Sequence, residues 1–125
     1  MTLEGYKIYG SPWQPTYGQG GGAFQIPRDG EEAREVADKI PADTDVLVTH
    51  GPPHGCQVTS LDTELLQVRF VVKLDSHVQD LMAYGNHGGC KMLYKAVDRV
   101  RPSHHVFGHI HEGNISISQL CKFTL

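Results

Sequence analysis

The sequence is short of cysteine, of long apolar runs and of surplus positive charge, and each shortage removes a class of protein. Cys56, Cys90 and Cys121 are odd in number and share no C-x-x-C spacing, which argues against a disulfide framework and for a reducing compartment. No apolar stretch approaches the ~18 residues that span a bilayer. Eleven basic against fourteen acidic side chains give −3, with no basic stripe for nucleic acid. Met1 to Gly10 carries neither the basic patch nor the long apolar core of a signal peptide, so a cytoplasmic, intracellular location is expected. Glycines 18, 20, 21 and 22 are not followed by Gly-Lys-Ser/Thr, which excludes a phosphate loop of that type.

What is present describes an ordinary globular chain. Its 125 residues are 39% apolar and 20% charged, enough for one domain over 1–125 and too few for two separate cores. Glycine and histidine stand out, at fourteen and eight. Every histidine lies beyond residue 49, at 50, 54, 77, 87, 104, 105, 109 and 111, which points to metal or acid–base chemistry in the later part of the chain.

The pattern of residues predicts an α/β order. Leu3 to Tyr9 reads as a strand, and Ser11 to Gly22, with two prolines and four glycines, as a loop in which Trp13 anchors to the core or lines a cleft. Asp29 or Gly30 caps a helix from about Glu31 to Ile40, with Ala33, Val36, Ala37 and Ile40 on its buried stripe. Pro41 stops it. Asp45 to Thr49 is a nearly continuous apolar strand of the kind found in covered parallel sheets. Leu65 to Leu74 looks like a strand, and His77 to Tyr84 like a helical turn or loop. Gly89 to Val100 is a helix with Leu93, Ala96, Val97 and Val100 inward and Cys90 a buried small hydrophobe at its start. His104 to His111 is a strand breaking at Gly108 or soon after, with one of His104 and His105 able to face a cleft. Ile115 to Leu125 is a terminal strand.

Two strand ends carry the chemical signal: V-L-V-T-H-G-P-P at 46–53 and H-V-F-G-H-I-H-E-G at 105–113. Ligands of open α/β sheets gather beyond the carboxyl ends of the strands, and both segments place histidine there. In extended chain His109 and His111 point to one side, their side chains starting about 6–7 Å apart. That separation suits service to two metals about 3.5–4 Å apart better than one tight chelate. His54, just past the Gly-Pro-Pro turn, is a candidate phosphate contact.

These segments resemble the last two metal-binding blocks of the calcineurin-like metallophosphoesterase superfamily. More narrowly, LEGYKIYGSPWQP, DVLVTHGPP and HHVFGHIHEG are similar to phrases of the metallophosphoesterase domain-containing protein family. The resemblance covers residues 3 to about 55 and 87 to 113, and implies two stacked mixed sheets flanked by helices (αββα). It places a dinuclear site for divalent metal (Mn, Fe, Zn or Mg) at the strand ends, with His50 and His109 matching ligands of one cation and His111 a ligand of the other. His50 and His109 are then also the catalytic candidates. The implied reaction is hydrolysis of phosphodiesters or phosphomonoesters, with cations neutralising phosphate oxygens and activating water for in-line attack. Because imidazole ligates only when neutral, metal binding should weaken below about pH 6.5.

The superfamily's other ligands come from D-x-H, G-D-x-x-D and G-N-H blocks upstream of the strand that resembles 46–50. None lies in the 45 residues before it, so the chain resembles the carboxy-terminal half of the domain, truncated at its amino-terminal half. Asp75-Ser76-His77 and Gly85-Asn86-His87 imitate two of these blocks. No G-D-x-x-D occurs and seven residues separate them, so both read as loop residues. Residues 57–86 and 114–125 depart from the family's pattern.

The expectation is therefore a metal-dependent phosphoesterase, impaired in this chain, acting on a small-molecule phosphoester, with neither a nucleic-acid nor a membrane surface. The competing expectation is a non-catalytic fragment that binds metal or a partner chain, self-associating through an exposed sheet edge. A histidine-rich zinc buffer is a third.

Overall fold

A computed structural model describes residues 1–17, 20–55, 57–59, 73–78, 86–109 and 119–121. It is mixed α/β, with a five-stranded sheet and two helices. The sheet is built from β1 (Thr2–Leu3), β2 (Tyr6–Ser11), β5 (Val46–Thr49), β8 (His104–Phe107) and β9 (Gln119–Cys121), in the order β1-β2-β5-β8-β9. The central three strands are parallel and the two outer ones antiparallel to their neighbours. Two short pairs accompany it: β3 (Gln14–Pro15) with β4 (Gln25–Ile26), and β6 (Gln57–Thr59) with β7 (Lys73–Val78).

Parallel neighbours need crossovers, and the helices supply them. Helix α1 (Glu31–Asp38) connects β2 to β5, and α2 (Lys91–Val100) lies between β5 and β8 in the chain. Because β2, β5 and β8 run across the sheet in sequence order, crossovers of the usual right hand put both helices on one face. Tyr9, Leu47 and the α1 and α2 stripes meet there, with Ala37, Ile40, Leu47, Ala96, Val97 and Val100 forming the core cluster. Burying Leu47 completely stabilises the fold by roughly 1.5–3 kcal/mol relative to an exposed side chain. On the opposite face Val46 and Val106 are half-buried and Val48 is 41% exposed.

The expected helices are present, with instructive ends. Gly30 caps α1 through its backbone, with no side-chain bond, whereas Asp29 turns away and serves α2. Its carboxylate accepts from Lys91 N at 3.3 Å and pairs with Lys91 Nζ at 3.4 Å. The Cys90 Sγ accepts from Leu93 N at 3.4 Å, so the buried thiol is also the α2 cap. Helix α1 has no basic residue in its own last turn. Arg99 of α2 supplies one, donating to the carbonyls of Ala37 and Ile40 at 3.2 and 3.1 Å.

Three expectations are corrected. The strand expected over Leu3 to Tyr9 is a hairpin, because Glu4 and Gly5 have φ of 49° and 87°. Two successive positive values make the tight turn whose twist matches antiparallel strands. The loop expected from Ser11 to Gly22 contains β3, where Gln14 N donates to Phe24 O and, one residue past the strand, Thr16 N donates to Ile26 O. Asp75 to His77 belong to β7, paired with β6, rather than to a loop. Most of the strand expected over Leu65 to Leu74 lies outside the described residues, as do 79–85, 110–118 and 122–125. Within the stretch 115–125, β9 agrees with the strand expected there.

Candidate functional site

Strands β5 and β8 are adjacent and parallel, with Val48 opposite Val106, so their carboxyl ends finish side by side. The ladder extends one step further: Gly108 N donates to His50 O at 3.1 Å, while His50 N donates to Ser11 O at 3.2 Å. This backbone clamp brings His50 and His109 together. His50 Nε2 lies 2.9 Å from His109 Nδ1, with ring centroids 4.6 Å apart and planes tilted by 52°.

His109 is not extended. Its φ is 78°, in the left-handed region that non-glycine residues rarely occupy. The premise that His109 and His111 share one side of an extended strand therefore fails at His109, since β8 ends at Phe107. His111 lies outside the described residues.

Residues distant in sequence surround the pair. The Tyr17 ring lies 4.9 Å from that of His109, and the Arg28 guanidinium carbon sits 5.3 Å from the Tyr17 centroid. Tyr17 Oη donates to Gly88 O at 2.5 Å, and Arg28 Nη1 donates to the carbonyls of Gly88 and Gly89 at 3.2 and 3.0 Å. Arg28, Tyr17, His109 and His50 thus form a continuous row of rings and guanidinium. Gly89 is required where the 88–90 segment meets the 52–54 turn, because a Cβ there would stand 2.5 Å from the Pro53 carbonyl oxygen.

His54 packs against His87 instead. Its ring lies 4.7 Å from that of His87, tilted by 35°, on segments tied by His54 N donating to Cys90 O and Cys90 N donating to Pro52 O, both at 3.1 Å. Trp13, 41% exposed and edge-on to Phe24 at 5.7 Å, lines an apolar cleft with Pro15, Ile26, Val36, Cys90 and Leu93.

Beneath the rim, on the helix-covered face, His105 is completely buried. Its Nε2 is 2.8 Å from Thr49 Oγ1, and burial pushes its pKa down to about 3, so the imidazole is neutral. His104, half-buried, turns the other way and meets Ser103 Oγ at 3.0 Å.

Two converging imidazole nitrogens suit a transition metal or zinc. Nitrogen ligands at about 2.0–2.1 Å in a tetrahedral shell lie roughly 3.3 Å apart, a few tenths of an ångström from the separation seen here. The pair therefore fits as part of a cation site. Among the described residues no group of three or more His, Cys, Asp or Glu side chains completes one.

Known proteins supply the context for this rim. No family model matches the chain. Metallophosphoesterase domain-containing protein 1 of Homo sapiens is 40% identical over 115 residues, which is 90% of this chain and 28% of that protein. A UPF0046 protein of Caenorhabditis elegans is 40% identical over 116 residues, 90% of this chain and 22% of its own length. Over 90% of its length the chain is similar to the metallophosphoesterase domain-containing family. It spans about a quarter of the length of these relatives. A protein of Emericella nidulans named probable rhamnogalacturonate lyase C is 39% identical over 86% of this chain, the match taking in 8% of that protein.

Sequence reasoning singled out His50 and His109, which the fold brings into contact. It missed Tyr17 and Arg28, whose bonds to the 88–89 segment cross 60 to 71 residues and leave no local pattern. It also missed His105, for which a signal existed: His105 and Phe107 alternate in β8 as one buried face.

Proposed function

We propose that this chain contributes the histidine side of a metal-dependent phosphoesterase centre acting on phosphodiesters or phosphomonoesters. The observation that carries this reading is the 2.9 Å approach of His50 Nε2 to His109 Nδ1 at the carboxyl ends of adjacent parallel strands. His50 and His109 would hold one divalent cation, and His111 is proposed as a ligand of a second. Bound cations of this kind neutralise phosphate oxygens and supply a nucleophilic water at neutral pH. The chain's own residues hold the site in place: Tyr17 packs against His109, and Arg28 ties Tyr17 to the 88–89 segment. His54 is proposed as a phosphate contact. The sheet is proposed to be one layer of the family's αββα sandwich, which its half-open face of Val46, Val48 and Val106 supports.

The test is hydrolysis of bis(4-nitrophenyl) phosphate by purified chain with manganese or zinc. Turnover abolished by His109→Ala and by chelation supports the reading; no turnover with any metal overturns catalysis by this chain.

A second reading has its own observation. With no third ligand among the described residues and one sheet face half-open, the chain also suits a non-catalytic role, associating with another chain through that face or the β1 edge. Concentration-dependent dimerisation without turnover favours it.

A further inference from the structure

We propose that His105 and Thr49 are positioning residues, forming with the Gly51 carbonyl a buried chain that sets the turn carrying His50. The inference rests on reading His50 and His109 as the functional pair. Thr49 Oγ1 donates to Gly51 O at 2.8 Å. A hydroxyl has one proton and a carbonyl can only accept, so Oγ1 must accept from His105 Nε2, also at 2.8 Å. His105 is thereby the Nε2–H tautomer. Its Nδ1 carries the bare lone pair, buried and with no hydrogen-bond partner among the described residues.

The placement gives this chain its consequence. Leu47 is the register partner of His105, so the bond to Thr49 runs diagonally across β5 and β8, the two strands that end in His50 and His109. The Thr49-to-Gly51 bond then closes over His50 itself, whose N–H and carbonyl are held by Ser11 and Gly108. One buried imidazole thus links both strands of the pair and fixes the exit of the first. A leucine of similar bulk would fill the space and supply no donor. A glutamine can place an amide N–H near the position of Nε2.

The experiment uses the full chain labelled with ¹⁵N-histidine. Long-range ¹H–¹⁵N spectra should show His105 as the Nε2–H tautomer. His105→Leu and Thr49→Val should each shift the ring signals of His50 and His109 and weaken zinc affinity by roughly tenfold, the lower end for residues that orient ligands. His105→Gln should restore affinity to within about threefold of the parent. Thr49→Val, nearly isosteric, serves if His105→Leu fails to fold. An Nδ1–H tautomer at His105, or folded Thr49→Val with unchanged His50 and His109 signals, overturns the proposal. If the parent chain takes up no zinc, the metal reading falls, and the ring signals alone decide the positioning chain.

Discussion

The two faces of strands β5 and β8 have the same backbone and opposite environments. Toward the helices stand Leu47, Thr49, His105 and Phe107, all at most 6% exposed. Away from them stand Val46, Val48, His104 and Val106, half-buried or exposed. Histidine divides the same way. His105 is sealed, neutral and bonded to Thr49, whereas His50 and His109 meet at the rim, His50 exposed and His109 half-buried. Alternation along β8 decides which of His104 and His105 is sealed, whereas His50 and His109 owe their place at the rim to lying just beyond the strand ends.

The largest expected effect should come from cutting the sealed face. Leu47→Ala should destabilise the chain by about 2–5 kcal/mol in urea or thermal unfolding, the range for large-to-small changes in packed cores. Val48→Ala, one residue on, should cost under about 1 kcal/mol. Equal losses at the two positions would erase the distinction between the faces.

Acid should sharpen it next. The folded-state pKa of His105, about 3, lies below the ordinary value of 6.5, so the unfolded chain binds a proton that the folded chain refuses. The stability associated with neutral His105 is complete above about pH 6.5 and declines as pH falls toward 3, by about 1.4 kcal/mol per pH unit for one proton. Chemical denaturation at pH 7, 6, 5 and 4 measures the slope. His105→Gln should flatten it, whereas His104→Gln should not.

Much of this was readable in advance, for identifiable reasons. Helices α1 and α2 announced themselves because Ala33, Val36, Ala37 and Ile40, and Leu93, Ala96, Val97 and Val100, repeat at three and four residues. Strand β5 did so through its unbroken apolar run. The Glu4–Gly5 turn stayed hidden because Glu is an unusual partner for Gly in a two-residue hairpin. Asp29 had the chemistry of an α1 cap, yet tertiary contact assigned it to α2. Of the site, the two histidines were legible because each follows an apolar strand, His50 directly and His109 after Gly108. Their supports, Tyr17 and Arg28, depend on contacts that no local spacing encodes.

Smaller effects should follow where the comparison reaches the surface. Arg99→Ala removes two bonds, to the Ala37 carbonyl of α1 and the Ile40 carbonyl just past it, and about 1 kcal/mol should be lost in thermal unfolding. Asp43→Asn breaks the ion pair with Lys7, which raises the Lys7 pKa and lowers that of Asp43 through their hydrogen bond. Both groups are exposed to solvent, so the thermal midpoint should not move measurably. A large drop would mean that the Lys7–Asp43 pair contributes more than its exposure suggests.

The reading of this rim rests on the 2.9 Å contact of His50 Nε2 with His109 Nδ1 across the ends of β5 and β8. The most direct test is the ¹⁵N–¹⁵N coupling between His50 Nε2 and His109 Nδ1 across their hydrogen bond in metal-free, histidine-labelled chain near neutral pH. A resolved coupling, lost in His109→Ala and replaced by joint shifts of both rings on adding zinc, is the predicted result. Two rings with no coupling that respond separately to zinc would contradict it.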